Sequence, residues 1–185
     1  MGRIEAIITD FDGTLVDTYE ANYLSYKEAF SKYGYELNNE KYKEYYGLRY
    51  DALCDKMNIK EEHRSLIKEL KKKIYPSNFK YLDLNENLIN FIIYSKNLRI
   101  KTCIASTASK ENLYNVLNHF CIAQYFDVII TGEDVKFGKP NPEVYLKALE
   151  KLNIKNDQAI VFEDSEVGCL AAYDAGINYI KIKNI

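Results

Sequence analysis

The sequence predicts an α/β fold: a parallel sheet with helices on both faces, and a small helical domain inserted after the first strand. Three observations predict it. From about residue 85 onward, short apolar runs alternate with segments of helical periodicity, the pattern of a parallel sheet buried on both faces. An isolated apolar run, Ile4 to Thr9, stands at the start and ends at Asp10. Between these lies a polar stretch, from about Tyr19 to Tyr75, rich in Lys, Glu and Tyr and helical rather than alternating in its spacing.

The elements follow in order. Ile4–Thr9 reads as a buried strand, closed by a turn at Gly13. Tyr23, Tyr26, Phe30 and Tyr33 recur at helical spacing, with Gly34 placed to stop that helix. Helices are expected over 39–46, 50–57 and 61–74, and Pro76 and Ser77 mark a break. A helix over 85–96 precedes a strand over 101–105, a helix over 109–118 and a strand over 126–130. Asn141 caps the next helix, with Pro142 in its first position, where a missing N–H costs nothing. That helix ends near Lys151. A strand over 159–162 leads into a helix over 165–175 stopped by Gly176, and a last strand covers 179–182. The expected organisation is a Rossmann-like core, 1–16 with 80–185, and a helical cap domain, 17–79.

Composition narrows the function. A formal net charge of −2 gives no basic field for nucleic acid or an anionic membrane, so an anionic substrate needs a local positive site. No stretch approaches eighteen apolar residues, and no signal-peptide pattern precedes the first strand. Cys54, Cys103, Cys121 and Cys169 have neither zinc-site nor disulfide spacing; four reduced, mostly buried thiols in a cytoplasmic protein are expected. His63 and His119 are the only histidines, which argues against Ser-His-Asp catalysis. The 17 tyrosines come without a concentrated basic patch, so packing outweighs a nucleic-acid platform.

Ligands of open α/β sheets bind outside the carboxyl ends of the strands. Those ends carry Asp10-Phe11-Asp12-Gly13-Thr14, Ser106-Thr107, Gly138-Lys139-Pro140 and Glu163-Asp164. Asp10, Asp12, Glu163 and Asp164 at one rim would repel unless neutralised. A hard cation with oxygen ligands, Mg²⁺, fits when a phosphate supplies further oxygens. Lys139 adds a second positive charge. The hydroxyls of Ser106 and Thr107 and the backbone N–H groups about Gly13 are candidate phosphate donors. Asp10 is then free to attack phosphorus. Asp12, two residues on, lies on the same side of an extended chain and can serve as acid and base, while Phe11 points into the core. Each element alone has a plainer use: a turn, a helix cap, a surface lysine. Their coincidence in order, each after a strand, favours chemistry.

Asp10-Phe11-Asp12-Gly13-Thr14-Leu15, Ile104-Ala105-Ser106, Gly138-Lys139-Pro140 with Pro142, and Phe162-Glu163-Asp164-Ser165 followed by Gly168 and Gly176 resemble the four signature motifs of the haloacid dehalogenase-like (HAD) hydrolase superfamily. The helical insertion is similar to the cap of the phosphoglycolate phosphatase and β-phosphoglucomutase branch. The insertion is short, and the pattern ends soon after residue 182, where relatives continue. The resemblance implies a HAD-like fold, Asp10 as nucleophile and Asp12 as acid/base. It implies Ser106 and Lys139 as phosphate ligands, and Mg²⁺ held by Asp10, the Asp12 carbonyl and Asp164, with Glu163 assisting. It further implies an aspartyl-phosphate intermediate and a small phosphorylated metabolite as substrate, phosphoglycolate or a sugar phosphate; a monomer is expected, although no residue pattern addresses the oligomeric state. Thr18, Asn22 and Arg49 are the expected specificity residues of the cap. A phosphosugar mutase is the alternative, disfavoured because Asn22 stands where such enzymes usually carry histidine. A non-catalytic binding protein is disfavoured by the intact Asp10, Asp12 and Asp164.

Overall fold

Ala6-Ile7-Ile8-Thr9 is buried at every residue, which only a strand flanked on both edges and covered on both faces can satisfy. In the computed structural model, which describes residues 3–183, this strand, β1 (Ala6–Thr9), is the middle strand of a five-stranded parallel sheet. The other strands are β4 (Lys101–Ala105), β5 (Val128–Ile130), β6 (Ala159–Glu163) and β7 (Asn178–Lys181), in the order β5-β4-β1-β6-β7. Register is fixed by pairs such as Ile8 with Cys103 on one side and Val161 on the other. A two-residue antiparallel ribbon, β2 (Val16–Asp17) with β3 (Asp83–Leu84), stands apart from the sheet.

The chain divides into two compact units, Met1–Asp17 with Asp83–Ile185, and Thr18–Leu82. In the first, alternate strand residues Ala6, Ile8, Cys103, Ala105, Ala159 and Val161 share one face. They form one core with Val144, Tyr145, Ala148 and Leu152 of α7 (Glu143–Leu152) and Ala171 and Ala172 of α8 (Glu166–Asp174). On the other face α5 (Glu86–Asn97) packs on β4 and sets Phe91 edge-on to Phe162, with ring centroids 5.7 Å apart. α6 (Lys110–His119) joins β4 to β5 and is capped by Ser109, whose hydroxyl accepts from Asn112 N–H. Asp127 ties three elements together: it accepts from Lys96 of α5 and from the backbone N–H and hydroxyl of Thr102 in β4.

The second unit is wholly helical: α1 (Tyr19–Ser31), α2 (Asn39–Tyr45), α3 (Tyr50–Lys56), α4 (Glu61–Ile74) and a 3-10 helix, Tyr75–Tyr81. Tyr23, Phe30, Leu37, Tyr42, Leu53, Cys54, Ile59 and Ile67 form its core. The tyrosine excess is spent here on ring packing, with Tyr19–Tyr42 centroids at 5.2 Å and Tyr26–Phe30 at 5.7 Å.

Several boundaries differ from expectation. β1 begins at Ala6 rather than Ile4, although Glu5 N–H still bonds to Gln158 carbonyl and Glu5 carbonyl accepts from Lys101 N–H. β5 begins at Val128, because a 3-10 turn over Ala123–Tyr125 consumes the residues before it. Pro142 occupies the cap position of α7 rather than its first turn, and Asn141 Oδ1 accepts from Glu143 N–H. α4 ends at Ile74, ahead of Pro76 as expected, but the chain goes on as a 3-10 helix, Tyr75–Tyr81, with Pro76 in its first turn, where its missing N–H is not needed. Cys121 is exposed, unlike the other three cysteines.

Candidate active site

The site is built from the carboxyl ends of β1, β4 and β6 and from the loop between β5 and α7. Asp10 follows β1 directly, and its N–H bonds to Phe162 carbonyl at 2.9 Å, so the last rung of the β1–β6 ladder fixes the residue. Phe11 is buried in the core and Asp12 is half-exposed, as the alternation of an extended chain requires. The chain then folds back on itself: Val16 N–H bonds to Phe11 carbonyl and Gly13 N–H to Val16 carbonyl. Gly13 adopts φ +85°, and a Cβ there would lie 2.6 Å from Asp164 Oδ2. This turn needs glycine for its conformation and for the close approach of Asp164.

Lys139 is the centre of the charge arrangement. Its Nζ lies 2.5 Å from Asp10 Oδ1 and 2.8 Å from Glu163 Oε2, with the lysine and both carboxylates almost wholly out of water. Glu163, 1% exposed, accepts from Lys139 and the Tyr145 hydroxyl on Oε2, and from the N–H and hydroxyl of Ser165 on Oε1. Ser165 also caps α8, accepting from Gly168 N–H at 3.0 Å. Asp164 accepts from the buried Thr14 hydroxyl at 2.7 Å. Oxygens of Asp10, Glu163 and Asp164 lie within 4.8 Å of one another.

The electrostatics follow from that crowding. Burial, and then the charge of Glu163, push the Asp10 carboxyl well above the usual carboxylate range against the pull of Lys139. Burial, and secondarily Glu163, also raise Asp164. Burial alone would discharge Lys139, but Asp10, Tyr145 and Glu163 raise it well above the ordinary lysine value. Glu163 alone goes the other way: although burial opposes its charge, Lys139 and the hydrogen bonds from Lys139, Ser165 and Tyr145 keep it below the ordinary value. The upward shifts of Asp10, Asp164 and Lys139 mark the same condition, a desolvated cluster with more negative than positive charge. Three convergent carboxylates beside one lysine leave a formal charge of −2, and such a set of oxygens could hold a hard divalent cation.

The sequence-predicted residues fall into three groups. Asp10, Lys139, Glu163 and Asp164 are brought together, with the charge of Asp12 felt at Asp10. Ser106 follows β4 with its N–H on Ile130 carbonyl and its hydroxyl accepting from Ala108 N–H, so the loop carrying Thr107 is shaped by Ser106 itself. That loop presses on Gly132, where a Cβ would lie 2.5 Å from Thr107 carbonyl. Thr18, Asn22 and Arg49 lie in the helical unit. Thr18 is buried with its hydroxyl 3.4 Å from Tyr46 hydroxyl, Asn22 Oδ1 accepts from Lys71 Nζ at 2.8 Å, and Arg49 occupies the cap position of α3. Sequence reasoning gave no separate part to Thr14 or Tyr145. Thr14 stood inside the first motif, but Tyr145 sits on the apolar stripe of α7 and reads as core.

A family model for haloacid dehalogenase-like hydrolases matches residues 7–182. The chain belongs to that family. It is 32% identical over 184 residues to a phosphorylated carbohydrates phosphatase of Thermotoga maritima, covering 96% of this chain and 84% of that one. The fold is similar to that of CbbY from Rhodobacter sphaeroides in complex with phosphate: TM-score 0.89, 26% identity, 98% of this chain and 87% of that one. It is also similar to β-phosphoglucomutase from Clostridium difficile: TM-score 0.86, 27% identity, 98% and 85% covered.

Proposed function

We propose that this hydrolase is a magnesium-dependent phosphatase that cleaves a small phosphorylated metabolite, of the phosphoglycolate or sugar phosphate class, through an aspartyl-phosphate at Asp10. The observation that carries this reading is the convergence of Asp10, Glu163 and Asp164 on one point with Lys139 between the first two. A buried carboxylate held by the last rung of a central strand is a preorganised nucleophile, and the lysine beside it is placed for charge on a phosphoryl group.

In this reading a carboxylate oxygen of Asp10 attacks phosphorus and the bond to the ester oxygen breaks. Asp12 gives its proton to the leaving alkoxide. It then takes one from the water that attacks phosphorus in the second step, releasing inorganic phosphate and restoring Asp10. Lys139, Ser106, Thr107 and the backbone about Gly13 hold the phosphoryl oxygens. Asp10, the Asp12 carbonyl and Asp164 hold Mg²⁺, with Glu163 assisting through its grip on Lys139. When bound, Mg²⁺ supplies positive charge for the phosphoryl oxygens as they cross the transition state. The helical unit serves as the cap and selects the substrate through Thr18, Asn22 and Arg49. The relative named for phosphorylated carbohydrates supports the sugar phosphate class. Likeness to a β-phosphoglucomutase keeps a mutase as the second reading, and Asn22, engaged by Lys71, favours hydrolysis.

The test is release of inorganic phosphate from p-nitrophenyl phosphate and from a panel of metabolite phosphates. Release should require Mg²⁺, stop with a chelator and fall about a thousandfold or more in D10N. Turnover of D10N at the wild-type rate would remove Asp10 from the chemistry. Conversion of β-glucose 1-phosphate to glucose 6-phosphate without net phosphate release, given a bisphosphate activator, would make the protein a mutase.

A further inference from the structure

Tyr145 lies in the first turn of α7 and is completely buried. Its neighbours on the helix face, Val144, Ala148, Leu149 and Leu152, are apolar core residues. A phenylalanine would fill that place, and a hydroxyl is costly to bury unless it finds a partner. The Tyr145 hydroxyl finds one inside the charged cluster: it donates to Glu163 Oε2 at 2.8 Å, the oxygen that Lys139 Nζ also contacts at 2.8 Å. The face of the same ring lies 4.9 Å from Lys139 Nζ. Lys139 is thus bounded by Asp10, by Glu163 and by the aromatic ring. Glu163 is immobilised from its other side by Ser165, and by Gly168, where even a Cβ would lie 2.0 Å from Glu163 Cδ.

Two donors share one carboxylate oxygen, so each is held less strongly than it would be alone. With the hydroxyl removed, Oε2 keeps Lys139 as its sole donor, and the ammonium is drawn toward Glu163 and away from Asp10 and any phosphate bound there. On the phosphatase reading of this site, we infer that Tyr145 is a positioning residue: its hydroxyl, through Glu163, sets where Lys139 stands relative to Asp10 and the phosphoryl group.

The test is Y145F in the full chain, with V144A as a packing control. Val144 is equally buried on the same helix and belongs to the same apolar core, but it has no polar atom to offer Glu163 or Lys139. Y145F should lower kcat about tenfold and weaken binding of inorganic phosphate, measured by calorimetry, by a similar factor, with little change in Tm. V144A should do the reverse, lowering Tm while leaving kcat per folded molecule and phosphate affinity unchanged. In an E163Q background, Y145F should cost little more, since the hydroxyl acts through that carboxylate. In the wild-type protein, the Tyr145 hydroxyl proton should give a slowly exchanging resonance that moves when inorganic phosphate is added. This last measurement does not depend on the folding of any variant. Wild-type kcat and phosphate affinity in Y145F, or a hydroxyl resonance indifferent to phosphate, overturns the assignment while leaving the phosphatase reading intact. A wild-type protein that releases no phosphate from any ester overturns both.

Discussion

Glu163 has no oxygen left to water, and its four donors come from Lys139, Tyr145 and Ser165. At the residue scale this makes Gly168 the sensitive neighbour, because a Cβ there would collide with the carboxyl carbon at 2.0 Å. G168A should lose about 1–3 kcal/mol of stability and most of the turnover, read by urea unfolding and phosphate release. Wild-type values in both would mean that Glu163 has room to move. Gly13 is the counterpart at Asp164: with φ +85° and 2.6 Å to Asp164 Oδ2, G13A should weaken Mg²⁺ affinity about tenfold or more by calorimetry. Unchanged affinity would separate Asp164 from the cation. Asp10, Lys139, Glu163 and Asp164 were legible in the sequence because each stands at or beyond a strand end in a recognisable string. Tyr145 was not, because an aromatic on an apolar stripe reads as core whether or not its hydroxyl finds a charge. The partner of that hydroxyl lies on another strand, a pairing that no spacing within α7 encodes.

At the scale of elements, β1 anchors the site because its neighbours on both sides hold it in register up to Asp10. Ile8→Ala, at a residue with no exposed surface, should cost about 2–5 kcal/mol and leave the chemistry of the folded fraction intact. Asp127 joins α5, β4 and β5. Although desolvation opposes its charge, the bonds from Lys96 and Thr102 hold its carboxyl below the ordinary value. A carboxyl depressed on folding stabilises above its unfolded pKa, and that contribution is lost as pH falls through its folded one. D127N should therefore cost about 1 kcal/mol at neutral pH, discounted for the partial exposure of the group, and much less below the carboxylate range. A pH-independent difference would locate the effect elsewhere. The strands and helices of the sheet were legible from apolar runs, caps and stop glycines. The β2–β3 ribbon was not, because its four residues meet across a long sequence separation. The 3-10 helix over Tyr75–Tyr81 was not legible either, because Pro76 marks the end of α4 but does not tell a 3-10 turn from a loop beyond it.

At the scale of the whole molecule, the carboxylate cluster couples stability to the proton and, on the proposed magnesium-dependent reading, to the cation. Asp10 and Asp164 are raised on folding, so their contribution is present below their unfolded pKa values and is lost as pH rises through the folded ones. Mg²⁺ at about a hundred times its Kd should restore roughly 2.7 kcal/mol, or about 5–10 °C in Tm. That increment should shrink as the solution is acidified, because protons and the cation compete for the same oxygens. An increment indifferent to pH would mean the ion binds elsewhere. The central claim is that Asp10 accepts the phosphoryl group, and its most direct test is acid quench during steady-state turnover followed by peptide mass mapping. The expected result is a single phosphoryl addition on the peptide containing Asp10, absent from D10N. Full turnover with the label on Ser106 or another residue, or on none, would contradict it.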